Sequence, residues 1–297
     1  MKVALTGASG YLGQLVLPLL DKHQGVESIL GLDIVPCPFS SPRYTFQTAD
    51  MRTADFKALL KGVDALYHLA FVVEPPKRMK IETIDEINIE GSRRVLQGAV
   101  AAGVSKIVFA SSIAAYGAHA DNPEVLTEDS PLRPNQDWYY SRAKGEIEAF
   151  LDELQGQHPE MAIIRFRPST FLGPCIRNPV GVLYASRVLV GLKKGYRIDH
   201  CWDEDAAEAF VLALGYPGSG TFKSGRRQSH YPGRCRQVAW EKGDLPASRC
   251  RFTSCQDGRC SRVRAAGDPG LGRRGDARFY SGFSGPGQRA AGLEAAI

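Results

Sequence analysis

Through the first two thirds of the chain, short apolar and β-branched runs alternate with segments whose apolar residues recur every three or four positions. Runs of the first kind read as buried strands, and segments of the second as helices laid against a sheet. The pattern predicts strands over Lys2–Thr6, Ser28–Leu32, Tyr44–Gln47, Ala65–Leu69, Lys106–Ala110 and Ala162–Phe166, and helices over Tyr11–Lys22, Ala54–Leu60, Ile84–Ala102 and Trp138–Gln155. In the third of these helices Ile84, Ile87, Val95, Leu96 and Ala99 share one side, and Gly103 stands where a helix cap is expected. Strands alternating with helices are the sequence habit of a parallel sheet covered on both faces. After Pro168 the alternation loosens, then a last helix is predicted from Asp203 to Leu214, closed by the breaker Gly215-Tyr216-Pro217-Gly218. Beyond Ser224 both periodicities vanish, and no internal repeat is present.

Between the first strand and the first helix lies Thr6-Gly7-Ala8-Ser9-Gly10-Tyr11-Leu12-Gly13. That context gives a glycine pattern its meaning. Gly7 permits the tight turn, Gly10 lets a pyrophosphate approach the backbone, and Gly13 lets helix and sheet pack closely. The helix N-terminus then offers N–H groups to the anion, with Ser9, Tyr11 and Leu12 in the same loop. Asp33 closes the second strand, 20 residues after Gly13, where a carboxylate accepts hydrogen bonds from the adenosine ribose and repels a 2′-phosphate. The next basic residue is Arg43, so NAD is expected over NADP. The fold class that follows is α/β: a Rossmann-type, doubly wound parallel sheet.

Composition bounds the rest. Of 297 residues 43% are hydrophobic, enough for one large core or two smaller ones. The net charge of +5 is unevenly placed: residues 1–223 hold 23 basic and 26 acidic side chains, residues 224–297 hold 14 and 6, and 13 of those 14 are Arg. The longest apolar stretch, Val180 to Leu192, contains Ser186 and Arg187 and is shorter than the roughly 18–20 residues of a membrane span. It reads as a core helix. Lys2–Thr6 is a strand-like start without the pattern of a secretory signal, so a cytoplasmic location and no membrane partner are expected. Seven cysteines without a regular framework argue against a disulfide scaffold. His68 and His119 have no second ligand at a metal-binding spacing, so no metal is expected; Cys175 beside Pro174 reads as a small buried hydrophobe.

The Gly-x-x-Gly-x-x-Gly spacing, with the motifs that follow it, resembles the extended short-chain dehydrogenase/reductase superfamily, in its nucleotide-sugar epimerase and dehydratase branch. The resemblance covers residues 1–215. It implies that Asp50-Met51 contacts adenine, that His68-Leu69-Ala70 lines the cofactor, and that Asn88 matches an Asn of the following helix. It further implies that Ser111-Ser112-Ile113-Ala114-Ala115-Tyr116-Gly117 is the strand-five signature, and that Arg167-Pro168 through Gly173-Pro174 is the strand-six exit, with Pro168 and Ser111 beside the cofactor. Tyr140-Ser141-Arg142-Ala143-Lys144 matches the family's Tyr-x-x-x-Lys pair, whose Lys also binds the nicotinamide ribose, and dimerisation through the Ile84–Ala102 and Trp138–Gln155 helices is implied in the same way.

The residues make chemical sense of that match. An alcohol cannot lose a hydride unless its hydroxyl proton leaves too, which calls for a base near neutral pH. Tyrosine, with a free pKa of about 10, needs help, and Lys144 lies on the same helix face, where its charge favours the phenolate. Tyr139 lacks a lysine at that offset. Ser112 is expected to donate to the substrate oxygen, with Ser111 the near competitor. The expected activity is NAD-dependent hydride transfer on a hydroxylated, nucleotide-sugar-like substrate, as epimerase, dehydratase or dehydrogenase. A non-catalytic NAD-binding sensor or scaffold is the alternative, disfavoured because a sensor has no use for the Ser112, Tyr140, Lys144 set.

The expected organisation is an NAD-binding domain over 1–167, a partial substrate-binding region over 168–223, and an Arg/Gly-rich tail over 224–297. Gly220-Thr221-Phe222 in the family leads into an Asn-Val-Gly strand; here it enters Arg226-Arg227-Gln228. The tail has 12 glycines, four cysteines and a single isoleucine, too little for a core. It reads as disordered or as the product of a shifted reading frame, which leaves the substrate domain small and incomplete. Without repeated Arg-Gly-Gly units or interleaved aromatics, nucleic acid is not the expected partner.

Overall fold

The computed structural model describes residues 1–173, 197–224, 226–229, 252–256 and 259–263. Seven parallel strands form the main sheet in the order β3-β2-β1-β4-β5-β6-β9: β1 (Lys2–Thr6), β2 (Ser28–Asp33), β3 (Tyr44–Thr48), β4 (Ala65–His68), β5 (Lys106–Ala110), β6 (Ala162–Pro168) and β9 (Gly220–Ser224). The order reverses at β1, so the connections from β1 and β4 leave on opposite sides. A doubly wound sheet opens its ligand crevice at that point, beyond the carboxyl ends of its strands.

Two apolar cores cover the sheet. On one face α1 (Tyr11–Lys22) buries Val16, Leu17 and Leu20 with Val3 and Leu5 of β1. On the other, α4 (Gly91–Ala102) and α5 (Tyr139–Gln157) bury Val95, Leu96, Ala99, Ile147 and Leu151 with Leu66, Ile107 and Ile163. The short α2 (Phe56–Leu59) is capped by the Asp55 carboxylate, which accepts from Ala58 N.

The continuous helix expected over Ile84–Ala102 is broken into three parts. A turn of α-helix, α3 (Ile81–Asp85), passes into a π-turn at Glu86–Glu90 before α4 begins. The wider turn buries Asn88 and Ile89 side by side. Such π-turns cluster at functional sites, and here the gain is the orientation of the Asn88 amide.

Part of the stretch assigned to the substrate region is built into the nucleotide side instead. The helix α6 (Asp203–Leu212) lies against α1, with Ala207, Ala209, Phe210 and Val211 in the same core as Val16 and Leu17. Strand β9 extends the main sheet beside β6, pairing Phe222 with Phe166 and Ser224 with Pro168. The Lys106 ammonium holds the end of α6 by donating to the carbonyls of Ala213, Leu214 and Tyr216.

A small second sheet, β10-β8-β7, joins β7 (Thr170–Leu172), β8 (Arg197–Trp202) and β10 (Arg226–Ser229). Farther on, β11 (Phe252–Gln256) and β12 (Arg259–Val263) form a hairpin. The described parts of the tail are thus strands. The helix expected over Val180–Leu192, Cys175 and the remainder of the tail lie outside the described residues.

Candidate active site

The phosphate loop is made of backbone. Gly7 sits at φ +74°, in the left-handed region that favours glycine, and a Cβ there would fall 2.6 Å from Ala70 N. A Cβ on Gly13 would fall 2.2 Å from Gly7 O, so the helix rests directly on the loop. Gly10, at the start of α1, is exposed, and no side chain caps the helix there. An uncapped N-terminus with an exposed glycine fits an anion such as a pyrophosphate. Ser9 donates its N–H to Asp33 Oδ2 (3.0 Å), and its hydroxyl to Val35 O; Ile34 N donates to Oδ1 (2.7 Å). Leu69 and Ala70 follow β4 on the far side of the loop, tied to Thr6 through Leu69 N to Thr6 O (3.2 Å). These residues fit NAD: donors for the anion, and a carboxylate for the ribose with no basic side chain bonded to it among the described residues.

Other residues expected at the cofactor are arranged less directly. Asp50 is gripped by Arg52, whose Nη2 donates at 2.6 Å, and that bond holds its carboxyl below the usual carboxylate range. Met51 is buried against Gly91. Asn88, fully buried, uses both amide atoms on Val72, accepting from its N–H (2.8 Å) and donating to its carbonyl (3.0 Å). It sits behind the segment that follows β4 and fixes that segment's path. His68 is fully buried beside Thr6 Oγ1 (2.7 Å), and burial holds it neutral, with its pKa pushed down to about 3. Tyr11 reaches across the crevice, its phenol donating to Asp203 Oδ2 at the head of α6. Pro168 is buried where β6 meets β9.

The three expected catalytic residues converge. Ser112 leaves β5 in extended backbone, and Tyr140 and Lys144 lie one turn apart at the start of α5. The Ser112 hydroxyl accepts from Ala114 N (3.1 Å) and lies near enough to the Tyr140 phenol to draw its pKa down. Ser111, the competitor, is buried and donates to Glu148 Oε1 (2.6 Å), away from the pair. Lys144 is buried, its ammonium donating to Ala110 O (2.6 Å). Burial pushes its pKa down to about 7, opposed by the Glu148 charge. Burial also raises the Tyr140 phenol, which the Ser112 bond only partly offsets. Burial thus leaves the proton on Tyr140 in this arrangement.

Sequence reasoning missed what surrounds the pair. One turn beyond Lys144, Glu148 is fully buried and accepts from Arg167 Nε (2.7 Å), Arg167 Nη2 (3.0 Å) and Arg165 Nη1 (3.3 Å). Burial pushes its carboxyl up, but the arginines outweigh that and hold it ionised. Arg167 continues to Tyr116 Oη (2.9 Å) and Glu128 O (3.0 Å). Phe71 was missed as well: its ring lies 3.6 Å from the Lys144 ammonium. The signals were a glutamate four residues after the lysine and two arginines on a buried strand, where charge is costly unless paired.

With this geometry established, the comparisons are decisive. The sequence profile of the NAD dependent epimerase/dehydratase family matches residues 3–223. The chain belongs to that family. NAD is the family's cofactor. Among curated relatives, the uncharacterized protein y4nG of Sinorhizobium fredii is 30% identical over 76% of this chain and 56% of its own length. The uncharacterized UDP-glucose epimerase YtcB of Bacillus subtilis is 31% identical over 45% of this chain and 47% of its own. The chain thus spans about half the length of these relatives. Solved structures share the fold: MoeE5 in complex with UDP-glucose and NAD (TM-score 0.66, 22% identity, 77% of this chain and 78% of that one). UDP-glucuronic acid 4-epimerase from Bacillus cereus in complex with NAD is similar (TM-score 0.65, 20% identity, 77% and 80%). Among the described residues no helix is long and apolar enough to cross a membrane.

Proposed function

We propose that this chain is an NAD-dependent epimerase, dehydratase or dehydrogenase acting on a hydroxylated nucleotide-sugar substrate. The observation that carries the reading is the convergence of Ser112, Tyr140 and Lys144 beside the crevice that begins at Gly7. NAD, when bound, accepts a hydride from the substrate and can return it. Tyr11, Leu12 and Gly13 offer its pyrophosphate the backbone N–H groups of the first helical turn, Gly7, Ser9 and Gly10 shape the loop around it through bonds to Leu32, Asp33 and Gly7, and Asp33 accepts from the adenosine ribose. Asp50, Met51, Leu69, Ala70 and Pro168 line the same site, while Asn88 and Ser111 act from behind it. Tyr140 moves the proton between its phenol oxygen and the substrate hydroxyl. Ser112 donates to that same oxygen and steadies charge on it. Lys144 provides positive charge on the ribose side and lowers the cost of the phenolate once the substrate hydroxyl draws the proton away.

Support for the substrate class comes from the relatives, among them a UDP-glucose epimerase by name and a fold neighbour holding UDP-glucose. The test is purified protein with NAD screened against UDP- and dTDP-sugars, reading cofactor absorbance and product identity together. Turnover of one of them is expected. Tyr140→Phe is expected to lower it by about 10²–10⁴-fold with NAD affinity nearly unchanged. Full activity in that variant, or no turnover of any nucleotide sugar by NAD-loaded protein, overturns the reading.

A further inference from the structure

Phe71 is the third residue of the segment after β4, and three contacts determine where its ring lies. Asn88 grips the backbone of Val72 from both sides, and the Tyr139 phenol donates to Val73 O. Leu69 N is tied to Thr6 O. A segment pinned on both sides of one residue presents that residue's side chain in a fixed direction. The ring it presents meets both members of the reactive pair. Its centroid is 3.6 Å from Lys144 Nζ, and the ring stands edge-on to Tyr140, with centroids 5.5 Å apart and planes at 86°. Trp138 packs on the other side of Tyr140 at 5.5 Å.

We propose that Phe71 is a positioning residue for the Tyr140–Lys144 pair: its face holds the Lys144 ammonium and its edge holds Tyr140. The face of an aromatic ring is negative and its edge positive. An ammonium over the face is attracted, more strongly when water is excluded, and an edge-on neighbour ring takes a preferred arrangement. Lys144 is thereby fixed at two points, Ala110 O and the Phe71 ring, and its charged form is favoured where burial alone would neutralise it. The inference rests on the reading of Lys144 as the cation beside the cofactor ribose.

Of the other groups around the ammonium, Glu148 shares that preference and the rest add nothing to it near neutral pH. From β4, His68 is held neutral. From α5, Tyr140 keeps its proton, while Glu148 favours the cation but is itself bonded to Arg165 and Arg167 of β6. From β5 come the Ala110 carbonyl and the Phe109 ring, whose centroid is 5.1 Å away.

The test is calorimetric titration of the full chain with NAD from about pH 4.5 to pH 10. The wild type is expected to lose affinity as Lys144 loses its proton, and Lys144→Met to bind weakly with no such pH dependence. Phe71→Leu, which fills the space without a quadrupole, is expected to match wild type at the acid end. Its midpoint should fall lower by about 0.5–1.5 pH units. Phe71→Tyr should keep the wild-type midpoint, and Phe71→Met serves if the leucine variant does not fold. A wild-type midpoint in Phe71→Leu or Phe71→Met, with Lys144→Met flat, reduces Phe71 to packing and overturns the proposal. If Lys144→Met keeps the wild-type profile, the reading of Lys144 itself fails, and the proposal with it.

Discussion

The two ends of the proposed cofactor crevice are made of different materials. At the phosphate end the working groups are backbone amides, and side chains matter chiefly by being absent, as at Gly7 and Gly13. At the reactive end the working groups are side chains, and they stand in front of a buried ionic cluster of Glu148, Arg165 and Arg167. A backbone site contains no group that titrates near neutrality, and its strength is set by geometry. A side-chain site in a dry interior can be tuned by charge, but it carries the desolvation cost of every ion it uses. The first end should therefore respond to steric change and the second to charge and pH.

The largest stability effect should come from the second end. Glu148→Ala leaves Arg165 and Arg167 buried without their shared carboxylate, and loss of one partner of a buried ion pair costs about 3–5 kcal/mol. Arg167 also carries the contacts to Tyr116 and Glu128, so the segment covering the site should loosen with it. Urea denaturation measures this. A change below about 1 kcal/mol would mean that Asp152, the exposed second partner of Arg165, compensates, and that the cluster is not the foundation described here.

Next comes a pH effect. Lys144 has its pKa lowered by burial to about 7, against 10.5 ordinarily. Between those values the unfolded chain binds a proton that the folded one does not, so this group makes stability rise with pH across that window. Below it, the full cost of a buried charge is present. Lys144→Met removes the dependence: the variant should gain on wild type at pH 6 and lose the advantage by pH 10. An unfolding free-energy difference that is constant from pH 6 to pH 10 would contradict the shift.

Much of this contrast was legible in the sequence, and unevenly so. The turn at Gly7 and the close packing at Gly13 could be read because each has a reason that is local. The strands Lys2–Thr6 and Lys106–Ala110 ended where their apolar runs end. Ser112, Tyr140 and Lys144 could be named because their spacings are short and fixed. Phe71 and Glu148 could not, since a phenylalanine or a glutamate has no meaning until long-range packing sets it against Lys144. The π-turn at Glu86–Glu90 was invisible for the same reason: what favours it is the Asn88 bond to Val72, 16 residues away. Strand β9 was not predicted: Gly220–Ser224 fell within the region 168–223, where no local pattern tells which sheet a strand will join.

At the phosphate end, Asp33→Ala sharpens the comparison on cofactor choice. It removes a charged acceptor, for which about 1.5–3 kcal/mol is typical, and also a charge that repels a 2′-phosphate. NAD affinity should fall about tenfold or more while NADP affinity changes less, narrowing the ratio between them. Titration with both cofactors decides it. An unchanged ratio would mean that Asp33 serves only to bond Ser9 and Ile34 within its own loop.

The smallest effect is expected from the tail. The family match ends at residue 223, at the point where the apolar periodicities of the sequence vanish, and the 74 residues that follow hold one isoleucine and 13 arginines. We propose that this stretch derives from a shifted reading frame, which implies that it was never selected to pack on the rest. Among the described residues, the two cores draw on positions up to Phe222. Limited proteolysis should therefore leave a fragment ending near Lys223 that binds NAD like the full chain, its stability within about 0.5 kcal/mol, as for changes away from any core. One contact could resist: β10 pairs Arg226–Ser229 with β8, and a fragment ending just after Ser229 would show that this pairing protects. A protease-resistant full-length chain, or a trimmed fragment that no longer binds NAD, would make the tail part of the protein's working structure. Sequencing the gene tests its origin separately, since an independently confirmed, uninterrupted frame would rule out the shift.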